Sequence, residues 1–379
     1  MKAWQKVLLG DVLRQDTQYV SELEPKLYPK LSVKLYGRGV VLDTPADGSS
    51  VKMQKHQLAR PGQVILSEIW AKRGAIGIVP SEGEGALCTS HFFLFDIDES
   101  KVLSGYMKWL LYGNYFEQQL NAEARGTTGY AAIRPKQFLA TEIPLPPLPE
   151  QRALITHLDA LAEKTRQVEA HLEAAERDVE NLLRSYIFHP PGKQPRKRPM
   201  SELLFQRQPD VAVDATVQYR FAGVYSFGRG VFASSVKMGS EFAYDRLSTV
   251  KAGDFTYPKL MAWEGALGVV PAECDGMVVS PEFPVFSVST EAVLPEVLDI
   301  YFRTPEVWPT LAELSGGTNL RRRRLQPSIF LNYEMPVPPM ATQLKLREMC
   351  RHANTLKAKH ATLRAANAAL LPATLERVF

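Results

Sequence analysis

The sequence predicts an α+β protein made of two similar globular domains and two long helices. Three observations carry that prediction. The chain repeats itself: YGRGV at 36–40 returns as FGRGV at 227–231, and GAIGIVP at 74–80 as GALGVVP at 265–271. Both pairs are offset by 191 positions (227 less 36, and 265 less 74). Solenoid units run roughly 20–50 residues, so the repeated unit is a domain. Next, the proline-rich EIPLPPL (142–148) and EMPVPPM (334–340) each lead into a Gln-containing stretch and a long helical stripe. Finally, the sequence between these landmarks sets short apolar runs among Gly, Pro and Asp, the pattern of strands and turns packed against a few helices.

In chain order, VILSEIW (64–70), AIGIVP (75–80) and FFLFDI (92–97) read as strands of the first copy. Met107, Leu110, Leu111, Phe116 and Leu120 fall near helical spacing and predict a helix over about 103–122. Pro144 to Pro149 reads as an extended strut outside the sheet, because prolines deny a ladder its donors. A proline at the first helical position loses no hydrogen bond, so a helix begins at about Pro149. Along it Leu154, Leu158, Leu161, Thr165, Val168, Leu172, Ala175, Val179, Leu182 and Tyr186 recur with 4,3 spacing, a coiled-coil seam. HPPGKQPRKRP (189–199) stops that helix and reads as a basic tether through Lys193, Arg196, Lys197 and Arg198.

The second copy supplies matching strands at TYPKLMAW (256–263), LGVVP (267–271) and FPVFSV (283–288), with a helix around LDIYF (298–302). Its seam is weaker: Met349, Ala353, Leu356, His360, Leu363, Asn367, Leu370 and Thr374. Each stripe needs a partner, and the simplest is the other helix of the same chain, run antiparallel. Asn367 is then either a polar residue that fixes register or a residue at the seam edge.

Composition narrows the function. A formal net charge of +4 over 379 residues gives no global argument for nucleic acid, so any such surface is a local patch. Cys88, Cys274 and Cys350 are scattered and lack zinc or disulfide spacing, which fits a reducing cytoplasm. MKAWQKVLLGDVLRQ is a poor signal peptide, and no apolar run reaches the roughly 20 residues that span a bilayer.

The order of domain, proline strut, heptad helix, domain, strut and helix resembles the specificity subunits of Type I restriction–modification systems. EIPLPPLPEQRALITHLDAL (142–161) is similar to the family's central conserved region and EMPVPPMATQLKLREM (334–349) to its distal one. VLLGDV (7–12) resembles the usual start of a recognition domain. One departure is that Ala341-Thr342-Gln343 stands where the central copy has Pro149-Glu150-Gln151.

The resemblance implies two target recognition domains (1–147 and 190–339) related by a pseudo-two-fold axis. They are joined by a central spacer helix (148–189) and a distal one (340–379). It further implies a subunit without catalytic residues that binds double-stranded DNA and scaffolds two adenine-methylating modification subunits together with restriction subunits. S-adenosylmethionine, ATP and Mg are expected in those partners, and no cofactor, metal or membrane contact in this chain. An orphan or phase-variable subunit serving a methyltransferase alone is the alternative within the family.

Candidate contacts lie where the copies correspond. GTTGYAAIRP (126–135) and GGTNLRRRRLQP (316–327) combine Gly-Thr turns with cations. They offer Thr127, Thr128 and Arg134, and Thr318, Asn319, Arg321, Arg322, Arg323 and Arg324, as a phosphate or base-edge clamp. Lys72, Arg73, Lys259 and Trp263 occupy matched segments before a shared strand, where a cation reaches guanine or a tryptophan stacks. Arg38 and Arg229, set in the shared GRG, suit a structural or phosphate role. Because Lys72-Arg73 is replaced by Trp263-Glu264, the two half-sites are expected to differ. Solvated loops, core tryptophans and surface pairs are the plain readings of the same residues.

Competing classes have weaker support. The chain has no Gly-rich cofactor loop with an Asn/Asp-Pro-Pro-aromatic motif, no D/E-x-K after Pro209-Asp210 and no P-loop. His91, His157, His171 and His360 lack metal spacing. A duplicated coiled-coil adaptor that binds only proteins is the remaining alternative.

Overall fold

The computed structural model describes residues 4–51, 55–112, 115–116, 119–120, 132–316 and 323–379. It is a mixed helix-and-sheet protein that divides into two units, one of residues 1–170 with 363–379 and one of residues 171–362.

In the first unit, one four-stranded sheet runs Leu13–Gln15, Phe92–Ile97, Val64–Ser67, Ile76–Ile78. A second runs Val40–Asp47, Leu27–Val33, Leu87–Cys88, Gln57–Leu58. The unbroken apolar run at 64–66 follows from burial on both faces. Val64 and Leu66 join the core with Phe95, Tyr106 and Leu110, while Ile65 joins Leu94 and Val79 on the other side. The predicted helix over about 103–122 is described as Ser104–Tyr112.

The second unit repeats this order with one added edge strand. One sheet runs Leu204–Gln206, Val285–Val288, Phe255–Thr256, Gly268–Val269. The other runs Val211–Ala212, Arg246–Thr249, Val278–Val279, Gln218–Tyr225, Gly230–Met238. Pro295–Phe302 takes the place of Ser104–Tyr112. Tyr257, Phe255, Phe286, Phe302 and Phe330 form an aromatic centre to its core.

Two expectations about the struts need correction. The strut does not stay outside all pairing, because Glu142–Pro144 is a strand against Lys6–Leu8, with Pro144 opposite Lys6. Residues 193–199 are not simply a tether, because Arg196–Pro199 pairs antiparallel with Glu334–Val337, and Arg198 bonds Glu202 at 2.8 Å. Pro144 sits at the end of its two-stranded ribbon, where a missing donor costs no ladder bond, whereas Pro336 lies within the second ribbon opposite Lys197. Each ribbon ties the start of a globular portion to its end.

The prolines then release the chain into the long helices Leu148–Phe188 and Met340–Val378. Within the first unit, Leu158 packs with Trp109, Leu371 and Leu375. Asn367 Nδ2 donates to the Thr165 carbonyl at 2.8 Å, and Arg364 Nε to Glu169 at 2.6 Å. Within the second, His360 Nδ1 lies 2.9 Å from Glu176, and Lys357 Nζ donates to Glu180 at 3.0 Å. In both units one number rises as the other falls, so the paired segments are antiparallel.

The seam differs from the predicted one at four positions. Leu158 and Leu172 are buried, and Leu154, Leu161, Val179 and Leu356 are half-buried, but Val168, Leu182, Leu363 and Leu370 are exposed. Their neighbours Glu169, Leu183, Arg364 and Leu371 turn inward instead. A straight helix drifts about 20° per heptad from a strict 3.5-residue repeat. The inward positions vacated by leucine are partly taken by charged pairs that satisfy each other.

Candidate nucleic-acid interface

Backbone docking brings distant candidate residues together in each unit. The hairpin closing Leu27–Val33 onto Val40–Asp47 seats its tip on the turn Ala71–Gly74: Tyr36 N–H donates to the Arg73 carbonyl at 2.6 Å and Gly37 N–H to the Gly74 carbonyl at 2.9 Å. In the second unit Phe227 N–H donates to the Glu264 carbonyl at 2.8 Å and Gly228 N–H to the Gly265 carbonyl at 3.0 Å. Gly74 (φ +71°) and Gly265 (φ +76°) make that approach possible. A Cβ on Gly265 would lie 2.4 Å from the Trp308 ring, and one on Gly74 2.8 Å from the Gly37 nitrogen.

This docking collects Arg38, Lys72 and Arg73 in the first unit and Arg229, Trp263 and Glu264 in the second. Arg38, Arg73 and Arg229 are exposed, and Lys72 is half-buried. Arg73 lies 5.5 Å over the Trp70 ring and Arg229 4.5 Å over Tyr225, which in turn stacks on Phe232 at 3.7 Å. Trp263 is half-buried, with Nε1 enclosed and lacking a hydrogen-bond partner, and so is less available for stacking than expected.

A second cluster lies where the strands of the two units correspond, and its charges are inverted. Glu68 N–H donates to the His91 carbonyl, and Ile133 N–H to the Glu68 carbonyl. Lys259 and Glu282 share the first of these bonds, and Leu325 and Lys259 the second. On that common frame the buried Glu68 carboxylate holds Arg134 at 2.7 Å and His91 at 3.1 Å. In the second unit Lys259 takes the position of Glu68 and spends its ammonium on the Pro281 carbonyl at 2.9 Å. Glu282, in the position of His91, pairs with Arg324 at 2.9 Å. The first cluster presents His91 and Arg134 outward, and the second a carboxylate beside a cation.

Arg323 Nη1 reaches the Ala312 carbonyl at 3.5 Å. Thr127, Thr128, Thr318, Asn319, Arg321 and Arg322 lie outside the described residues. Sequence reasoning passed over Glu68 and Glu282, which is understandable: acids draw no attention in a search for cations, and only their offset of 191 pairs Glu68 with Lys259.

The two glutamines that the strut motifs share were given no role by the sequence. Gln151 is buried, accepts from Leu103 N–H at 2.8 Å, and donates to the Lys101 and Pro146 carbonyls, each at 2.9 Å. Gln343 makes the same three contacts, from Leu294 N–H at 2.8 Å and to Pro338 at 2.9 Å and Ala292 at 3.3 Å. Each ties a long helix to the strut before it and to the residues leading into the helix that packs on the sheet. This explains why Gln survives where Pro-Glu has become Ala-Thr.

The reactive groups elsewhere are quiet. Burial pushes the Cys88 thiol up to about 12 and the Cys350 thiol up to about 11, the latter helped by Glu296 and Asp299. Among the described residues no three His, Cys, Asp or Glu side chains form a metal-binding group. Among them, too, no helix is long and apolar enough to cross a membrane.

No family model matches the chain. Over 177 residues it is 25% identical to the Type I restriction enzyme MjaVIII specificity subunit of Methanocaldococcus jannaschii. That match covers 46% of this chain and 36% of the relative, so the chain aligns with about a third of that protein's length. The crystal structure of the HsdS subunit from Thermoanaerobacter tengcongensis superposes over the whole chain and 97% of the other, with 20% identity and a TM-score of 0.56. A chain from a structure of the type I R-M system, described for its complex assembly and conformational transition, covers the whole chain and 96% of its own length, with 18% identity and a TM-score of 0.62. This protein therefore has the fold of a Type I restriction–modification specificity subunit and is similar in sequence to one.

Proposed function

We propose that the chain is the DNA-recognition subunit of a Type I restriction–modification complex, with its two units each reading one half of a bipartite, asymmetric target. The inverted cluster is the observation that supports it best. A duplicated fold whose hydrogen-bonded frame is shared, but whose outward charges are not, suits two half-sites of different sequence. Arg134 and Arg324 match guanine O6 and N7, and a carboxylate such as Glu282 accepts from cytosine N4.

In this reading residues 1–147 and 190–339 are target recognition domains related by a pseudo-two-fold axis. The helices at 148–189 and 340–379 form an antiparallel coiled coil that sets the distance between half-sites, as dimeric repressors set theirs. The chain scaffolds two modification subunits and the restriction subunits in the cytoplasm. Chemistry resides in those partners, which hold S-adenosylmethionine, ATP and Mg.

The ruler is directly testable. Seven residues inserted at matched points of both helices lengthen the spacer by about 10 Å, or roughly 3 base pairs at 3.4 Å per step. Methylome sequencing of cells carrying the variant should report the same two half-sites with a longer gap. An unchanged gap in an active complex excludes the ruler, and a palindromic methylation motif excludes the asymmetric target. A salt-dependent shift of labelled duplex, strengthened by a methyltransferase partner, separates this reading from a protein-only adaptor.

A further inference from the structure

Among the described residues only two non-glycine side chains sit on a left-handed backbone, Tyr36 at φ +59° and Phe227 at φ +62°. They hold the same position in the two hairpin tips, 227 less 36 again giving 191. Both are aromatic, with 55% and 63% of their surface exposed. Glycine or asparagine would hold this conformation with less strain.

The turn geometry accounts for the backbone but not for the rings. Tyr36 and Phe227 meet the Arg73 and Glu264 carbonyls through their own N–H groups, which any residue except proline supplies. Neither ring belongs to a buried apolar cluster. Phe227 stays largely exposed at the mouth of a cleft it shares with Val179, Leu183, Ile300 and Trp308, its ring tilted at 58° and its centroid 6.3 Å from that of Trp308.

Their surroundings indicate an occupant. The tip Lys34–Gly39 carries two cations and no acid, and Tyr225–Gly230 carries Arg229 and no acid of its own, while the cleft beside Phe227 mixes Glu180, Glu296 and Asp299 with Arg184, Arg303 and Lys357. Exposed rings with cations over them flank both tips, Trp70 under Arg73 and Tyr225 under Arg229. Arg229 places its Nε on the Ser226 carbonyl at 3.3 Å and leaves its other N–H groups for an anion, and a ring beside such a guanidinium suits a base face beside a phosphate. An element shared by both units cannot distinguish half-sites, and stacking tolerates every base. We propose that Tyr36 and Phe227 are sequence-independent stacking wedges: each ring enters a base step of duplex DNA while Arg38 or Arg229 holds the adjacent phosphate. The proposal rests on the DNA reading above and adds to it.

The test uses the full chain and a mixed-sequence duplex of about 30 base pairs carrying 2-aminopurine, at low salt. Asparagine accepts the left-handed backbone, so Tyr36→Asn with Phe227→Asn removes the rings and relieves the strain together. The double variant should lose about tenfold in affinity per ring. It should also lose the 2-aminopurine brightening, with a melting temperature equal to or above that of the parent. Tyr36→Phe with Phe227→Tyr should keep both binding and brightening.

Undiminished affinity in the asparagine variant, while the parent binds, overturns the wedge alone. A melting temperature that falls along with affinity assigns the rings a structural role and also overturns it. Intact duplex binding with weakened co-purification of methyltransferase subunits assigns the rings to a protein contact, again against the proposal. A parent chain that fails to bind the duplex overturns the DNA reading, and the wedge with it.

Discussion

Replacing Gln151 with leucine should unfasten the first unit. Leucine keeps most of the side chain's volume, so packing changes little, but three backbone groups lose their partner at once. These are the Leu103 N–H and the Lys101 and Pro146 carbonyls, at 2.8, 2.9 and 2.9 Å. Gln151 has no exposed surface and its bond to Pro146 is fully buried, so water reaches the Leu103 and Lys101 groups only in part and the Pro146 carbonyl not at all without opening the junction. A buried polar group left unpaired costs about 1–3 kcal/mol. Carbonyls tolerate the loss better than N–H groups, so the total should be about 3–5 kcal/mol. For a unit of this size that is roughly a 10 °C drop in the first melting transition. Thermal unfolding by circular dichroism gives the magnitude, and amide exchange locates it: Leu103 N–H should lose its protection. Gln343→Leu should do the same to Leu294, slightly less severely because its bond to Ala292 is long, at 3.3 Å. A change below about 1 kcal/mol, with Leu103 still protected, would refute the idea that this glutamine fastens strut, helix and domain together.

Three further outcomes follow from the same structure. Asn367→Leu removes the 2.8 Å bond to Thr165 but fills a half-buried seam position, so stability should hold or rise by about 1 kcal/mol while pairing register becomes less defined. Cysteine cross-linking between the helices would report that loss as additional products. Glu282→Ala releases Arg324 from its 2.9 Å ion pair, and affinity for duplex lacking the target should rise, with a salt slope steeper by about one unit, while preference for the target falls. An unchanged slope would place Arg324 away from the DNA. Base should destabilise the protein through its thiols. The folded-state values of Cys88 and Cys350, about 12 and about 11, stand above the ordinary 9.0 of an unfolded chain. Their contribution is therefore complete below about pH 9 and is lost as pH rises through 11 to 12. For the buried Cys88 the slope is about 1.4 kcal/mol per pH unit. Urea midpoints between pH 9 and 11 should fall in the parent and fall less in Cys88→Ala.

Much of the architecture could be read before any coordinates, because it depends on local rules. Repeats at a 191-residue offset indicate a duplicated domain wherever the chain goes. A heptad stripe after two prolines indicates a long helix, since 3.6-residue periodicity and the helix-starting preference of proline act over a few neighbours. Val64 to Ser67 reads as a strand for the same reason.

The sequence by itself therefore determined that the protein has two like portions, two long helices and cationic, glycine-bordered loops. Tertiary structure alone decided which residues meet. It placed Glu169 and Glu176 in the seam opposite Arg364 and His360, where a search for leucines selects Val168 and misses them. It paired Arg196–Pro199 with Glu334–Val337, turning an expected tether into a strand. It also put Glu68 and Lys259 at one locus with opposite charge, and exposed two aromatics on a left-handed backbone. The reason is physical. Helix and strand periods are written in short-range sterics, whereas a buried carboxylate or a strained φ persists only because partners far along the chain hold it there.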